Sequence, residues 1–162
     1  MQSNEGMSEA QYNQVLSCLA ELVKKLRLSA VFLVDSSGRI LAEKMSKSGR
    51  IDTTVLATLA AGSYSAANEM TRQLGEKSNI KMMLYEGENQ NVFISSVTND
   101  IFLAIVFETG VALGMVRLFA KRTLLQLQPI LREKSQNRYE ALFDQHFQGL
   151  LDEKLNQSFL DE

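Results

Sequence analysis

Side chains suited to acid–base or nucleophilic chemistry are scarce in this sequence. His146 is its one histidine and Cys18 its one cysteine. A Ser-His-Asp or Cys-His arrangement needs an imidazole to take the nucleophile's proton, so it would have to use His146. That residue flanks an apolar stripe in the C-terminal stretch, and a polar neighbour of such a stripe accounts for it. Metal sites built from several Cys and His ligands lack their donors. The stretch LGEKS (Leu74–Ser78) is similar to the end of a phosphate-binding loop, but Glu76 separates Gly75 from Lys77 and the earlier glycine is missing. It reads instead as a helix stop followed by a loop. The carboxylates Asp35, Asp100 and Glu108 fall at strand ends, where acidic residues mark turns, and nothing pairs them as acid and base. Met82 and Met83 lie in a strand and read as core filling. The parts of an enzyme are missing: no catalytic residue, no metal and no cofactor is expected. Binding is the function to look for.

The bulk composition is that of a soluble globular protein, with 162 residues, a hydrophobic share of 45% and a charged share of 22%. A net charge of −2 argues against nucleic acid, whose phosphates demand a concentrated basic patch. One cysteine excludes a disulfide framework, and Cys18 falls on the apolar side of the first helix as a small core residue. The opening MQSNEGMSEAQ is polar and acidic, so no signal peptide is expected. No apolar run reaches the length of a membrane span, and no membrane insertion is expected. Asn156-Gln157-Ser158 matches a glycosylation sequon that has no meaning without secretion. The expected location is cytoplasmic.

Periodicity places the elements. A capping box from Ser8 to Gln11 opens a helix to about Arg27, with Tyr12, Val15, Leu16, Leu19, Leu22, Val23 and Leu26 inward. AVFLVD (Ala30–Asp35) and RILAEKM (Arg39–Met45) form a hairpin around Ser36-Ser37-Gly38. Asp52 caps a second helix that stops at Gly75. IKMMLYE (Ile80–Glu86), NVFISSV (Asn91–Val97) and IFLAIVFE (Ile101–Glu108) are strands joined by GENQ and TND. A third helix follows Thr109-Gly110, and Pro129 should kink or end it. AVFLV and IFLAIVF are apolar on both faces, so helices must cover both sides of their sheet. The expected fold class is α/β (α+β): three layers around an antiparallel five-stranded sheet. Residues 1–134 form this domain. Residues 135–162 form a C-terminal amphipathic helical extension, with Tyr139, Leu142, Phe143, Phe147, Leu150, Leu151, Leu155 and Phe159 as its stripe, interrupted by Gly149. It can dock on its own domain or serve as a partner-binding arm, because both use the same pattern.

The second helix is unusual. Leu56, Leu59, Ser63, Ala66, Met70 and Leu74 recur as a core-facing stripe. The opposite face carries Thr54, Ala57, Thr58, Ala61, Ser65 and Asn68, all small, and no charge occurs between Asp52 and Glu69. A solvent-washed face normally shows Lys and Glu. Small residues let another backbone approach closely, so this face is expected to meet a partner.

Taken in order, VFLVDSSGRIL, RIDTTVLATLAAG and IFLAIVFE, with LGMVRL in the third helix, resemble the Roadblock family, a longin- and profilin-related fold of homodimeric small-GTPase regulators. The likeness spans about Val31 to Leu118 and points to the MglB type, bacterial GTPase-activating partners of the Ras-like GTPase MglA. It implies a homodimer whose second helices lie side by side and whose sheets join. Thr54, Ala57, Thr58, Ala61 and Ser65 would form the close contact, extended by Tyr64, Asn68 and Arg72, with the dimer mate on one flank and the GTPase on the other. It also implies an activator that inserts no arginine and instead reorders the GTPase. Arg50, Arg72 and Arg117 are candidate fingers in principle, although helix-end placement accounts for Arg50 and Arg72. Two other readings stand beside it. One is a Roadblock-type scaffold that binds a GTPase or cytoskeletal partner without activating it. The other is a profilin- or PAS-like ligand sensor, which would need a cavity with converging polar groups; the strands offer Ser95, Ser96 and Lys81.

Overall fold

Ser8 starts the chain's first helix as its sequence requires. Its hydroxyl accepts from the Gln11 amide at 3.2 Å and the Gln11 side chain accepts from the Ser8 amide at 3.0 Å. This closes the capping box of α1 (Glu9–Leu26), which ends at Arg27 in the left-handed region. These features come from a computed structural model that describes residues 7–46, 50–132 and 149. The elements that follow are β1 (Ala30–Asp35), β2 (Ile40–Met45), α2 (Thr53–Gln73), β3 (Met82–Glu86), β4 (Gln90–Ser96) and β5 (Ile101–Glu108). A third helix, α3, occupies residues 113–132. The strands form one sheet in the order β2-β1-β5-β4-β3, with antiparallel neighbours throughout.

Alternation along the central strands builds two cores. Val31, Leu33, Leu103, Ile105 and Phe107 face α1 and α3, against Val15, Leu19 and Leu22 of the first and Val116, Ala120 and Leu127 of the second. Phe32, Val34, Phe102, Ala104 and Val106 face α2. Strands apolar on both faces are therefore covered on both faces, and the three-layer expectation holds. α1 and α3 run antiparallel: Gln11 near the start of one donates to the Ile130 carbonyl, and Lys25 near its end lies over the Phe119 ring.

The β1–β2 turn shows why VFLVDSSGRIL is a unit. The Asp35 carboxylate accepts from the Ser37 amide (3.0 Å), the Ser37 hydroxyl (2.6 Å), the Arg39 amide (3.0 Å) and Arg39 Nε (3.0 Å). Gly38 adopts φ 86°, and a Cβ there would come within 3.1 Å of Thr58 Cα in α2. Glycine is needed on both counts. Burial pushes the Asp35 carboxyl upward, but the bonds from Ser37 and Arg39 outweigh it and hold it below its ordinary value. A depressed folded pKa means stability that is present above the unfolded value, near pH 4, and lost as pH falls through the folded one. Asp35→Asn is expected to cost about 1–3 kcal/mol at pH 7. In thermal melts the gap between variant and wild type should shrink below pH 4, and a pH-independent gap would refute the assignment.

Some boundaries differ from the sequence reading. β3 begins at Met82 instead of Ile80 because α2 holds the Ile80 backbone: the Tyr64 hydroxyl donates to its carbonyl (3.4 Å) and its amide donates to Asn68 Oδ1 (2.8 Å). β2 starts after Arg39, which belongs to the turn, and β4 runs one residue earlier than expected. Pro129 does not end α3, which continues to residue 132. The carbonyl that the proline leaves without a helical donor belongs to Leu125, a residue 63% exposed, on the water side of the helix. But for residue 149, the C-terminal extension lies outside the described residues, with His146 and the sequon.

Candidate partner interface

α2 is set by its two ends. The Val55 amide donates to the Asp52 carboxylate at 3.1 Å. At the other end Gly75, at φ 83°, lets its amide reach the Arg72 carbonyl and the Glu76 amide reach that of Thr71. This is a Schellman stop. LGEKS is therefore a helix terminus, as its sequence implied.

Between these ends the helix is turned differently from the sequence expectation, by roughly a third of a revolution at about 100° per residue. Thr53, Ala57, Ala60, Ala61, Tyr64, Ala67 and Asn68 are buried against the chain's own sheet. Leu59, Met70 and Leu74, expected in the core, point outward at 62%, 63% and 81% exposure, with Val55 at 55%. Leu56 and Ser63 are half-buried and Ala66 is exposed. The reason is volume. Phe32, Phe102 and Ile94 fill this face of the sheet, and the Tyr64 ring stacks on Phe102 at 5.0 Å between centroids. Alanines let α2 settle onto that crowded surface, and the backbone approaching its small face is the chain's own turn at Gly38, against Thr58 and Ala61.

Of the eight residues expected at the contact, Ala57, Ala61, Tyr64 and Asn68 are thus inside the domain, while Thr54, Thr58, Ser65 and Arg72 reach the surface. Tyr64 and Asn68 position the entry to β3. Arg72 is tied to Glu69 in its own helix at 2.6 Å, and Gln73 and Arg72 together hold the Glu69 carboxyl below its ordinary value.

Val55, Leu59, Gly62, Ala66 and Met70 recur every three or four residues along the outward side, an apolar seam of the kind that packs against another helix. The sequence reading missed it. Its signal was present: a helix with one alanine face and one large apolar face, and no charge on either. β3 closes the sheet order and, among the described residues, is paired only with β4. Met83 packs on the α2 side, so strand alternation puts Tyr85, 47% exposed, on that side too. The domain therefore has an open strand edge at β3 and an exposed apolar seam on α2. Both invite pairing.

The other candidates do not assemble a reactive site. Arg50 lines a cleft of about 890 Å³ with Lys24, Arg27 and Glu108, and Arg117 is exposed on α3. Lys81, Ser95 and Ser96 do converge, in an open cleft of about 650 Å³ shared with Arg132. There the Ser95 hydroxyl donates to the Lys81 carbonyl, tying β4 to the entry of β3, and the Ser96 hydroxyl donates to that of Thr98 in the β4–β5 turn, so both are engaged structurally. Asp35 is engaged by its turn. No group of three or more His, Cys, Asp or Glu that could hold a metal ion occurs among the described residues, nor is any described helix long and apolar enough to cross a membrane.

The structure is thus a mixed α/β domain with a two-sided sheet, an open edge at β3 and an apolar seam on α2. The model of the Roadblock/LC7 domain matches residues 17–107, more than half of the chain, and the chain belongs to that family. Solved structures sharpen the likeness. MglB from Myxococcus xanthus superimposes with a TM-score of 0.73 at 27% identity, covering 79% of this chain and 95% of that one. The gliding protein MglB from Thermus thermophilus gives 0.73 at 26%, covering 78% and 95%. An MglB with a tetrameric arrangement gives 0.74 at 25%, covering 79% and 95%.

Proposed function

We propose that this protein is an MglB-like homodimeric regulator of a Ras-like small GTPase of the MglA type, and that it stimulates GTP hydrolysis by reordering the GTPase. The observation that carries the proposal is the exposed apolar seam on α2 together with the free β3 edge, in a chain similar over most of its length to MglB structures. Two copies related by a twofold axis bring the same surface to both sides of the contact. The α2 seams then bury Val55, Leu59 and Met70 against each other, and the β3 edges extend the two sheets into one. Thr54, Thr58, Ser65 and Arg72 flank the paired helices and form the platform offered to the GTPase.

The chain contributes no group to the chemistry in this reading. Hydrolysis of GTP requires a positioned water and stabilisation of charge on the transferred phosphoryl group, often from an activator's arginine. Arg72 is engaged with Glu69, Arg50 lines a cleft at the start of α2, and Arg117 lies on α3, across the sheet from α2. Replacing Arg50, Arg72 or Arg117 singly by Ala is therefore expected to leave most of the stimulated rate once the GTPase is saturated. An arginine finger is worth about a thousandfold or more, so its loss would be unmistakable. Lowered affinity would move the concentration required and leave the plateau in place. Single-turnover hydrolysis at saturating protein checks this. A collapsed plateau in a variant that still binds would make that arginine catalytic and overturn the indirect mechanism.

A further inference from the structure

A second apolar surface lies on the opposite side of the sheet from α2. α3 buries Val116, Ala120, Leu127 and Leu131 and turns Met115, Leu118 and Leu125 to water at 45%, 46% and 63% exposure. With Arg122 and Pro129 between and beyond them, these positions alternate by three and four, the seam along which a helix packs a second helix. α1 does not cover it, because α1 meets α3 through Phe119 and Thr123, on a flank that leaves Met115, Leu118 and Leu125 exposed. The charge here is one-sided. Residues 109–132 contain Arg117, Lys121, Arg122 and Arg132 and no Asp or Glu.

The C-terminal segment has the complementary composition. Phe143, Phe147, Leu151 and Leu155 recur at helical spacing in residues 135–162, which hold six carboxylates against Arg138 and Lys154. The segment also starts in the right place. α3 is described to residue 132, and a reversal near residue 135 would set Leu151 opposite Leu118 and Leu155 opposite Met115, since two antiparallel helices advance by the same ~1.5 Å per residue. To cover the α2 seam instead, the segment would have to round the edge of the sheet. We propose that residues 135–162 fold back along α3 of their own chain, seating Phe143, Leu151 and Leu155 on Leu125, Leu118 and Met115, with their carboxylates against Arg117, Lys121 and Arg122. The inference is independent of the GTPase reading. It assigns one apolar surface to the chain itself and leaves the α2 seam for a partner.

Cross-linking of the full chain tests it. In a Cys18→Ser background, Leu118→Cys combined with Leu151→Cys is treated with a short bis-maleimide. Most of the protein is expected to gain one linker within a single chain, while Leu59→Cys with Leu151→Cys gives no link between positions 59 and 151. Links from position 151 to another chain would place the segment on a second copy and overturn the proposal. A link between positions 59 and 151, or none between 118 and 151, would equally overturn it. Trypsin digestion of the unmodified chain gives a reading free of substitutions. Cleavage at Arg138 and Lys154 is expected to be slow, because a docked segment is cut only in proportion to its open fraction; rapid cleavage at both sites contradicts docking.

Discussion

Leu59→Arg is expected to turn a dimer into a folded monomer. Leu59 is 62% exposed in the single chain, so arginine can extend into water there without disturbing the domain. In a twofold contact the change acts twice, placing two like charges near each other in a surface that had been losing its water. Burying an unpaired charge costs several kcal/mol after relaxation. Even ~4 kcal/mol weakens association about a thousandfold. Light scattering at tens to hundreds of micromolar checks the result, with circular dichroism to confirm the fold. A wild-type chain that is monomeric at high micromolar concentration would sink the α2 interface, as would a Leu59→Arg variant that still dimerises.

Ala61→Arg should behave in the opposite way, two residues further along the same helix. Ala61 is 5% exposed, on the sheet-facing side of α2 beside the Gly38 turn. A long cation has no room there and no partner within that alanine-lined contact. Overpacking and burial of charge together are expected to remove more than about 4 kcal/mol, which is most of the stability of a typical domain. The chain should fail to fold, or melt far below wild type, whether or not it dimerises. A well-folded monomer would instead mean that the small face is the dimer contact and that α2 is turned as the sequence alone implied. The two variants therefore separate the orientations cleanly.

That contrast marks where the sequence was readable. Ser8 with Gln11, Asp52, and Gly75 are local signals, and each cap formed as its chemistry required. Strands apolar on both faces announced a sheet covered on both sides, because nothing else can satisfy AVFLV and IFLAIVF. The orientation of α2 was not local. Two of its faces are free of charge, and a rule that sends the larger residues inward chooses Leu59 and Met70. The space beneath the helix is set by Phe32 and Phe102, distant in sequence, and by a turn that only Gly38 can bring so close. The free β3 edge was equally hidden, since strand order depends on β5 entering between β1 and β4. Tyr64 and Asn68 were expected to extend the contact surface, but they bind the chain's own Ile80.

Single-turnover GTP hydrolysis by an MglA-type GTPase, with rising amounts of wild-type protein and of Leu59→Arg, tests the central claim most directly. The expected result is a hydrolysis rate that climbs to a plateau with the wild-type dimer and stays near the intrinsic rate with the folded monomer. If the wild-type protein binds the GTPase at saturation and the rate does not rise, the protein is a scaffold and the proposed activation is wrong.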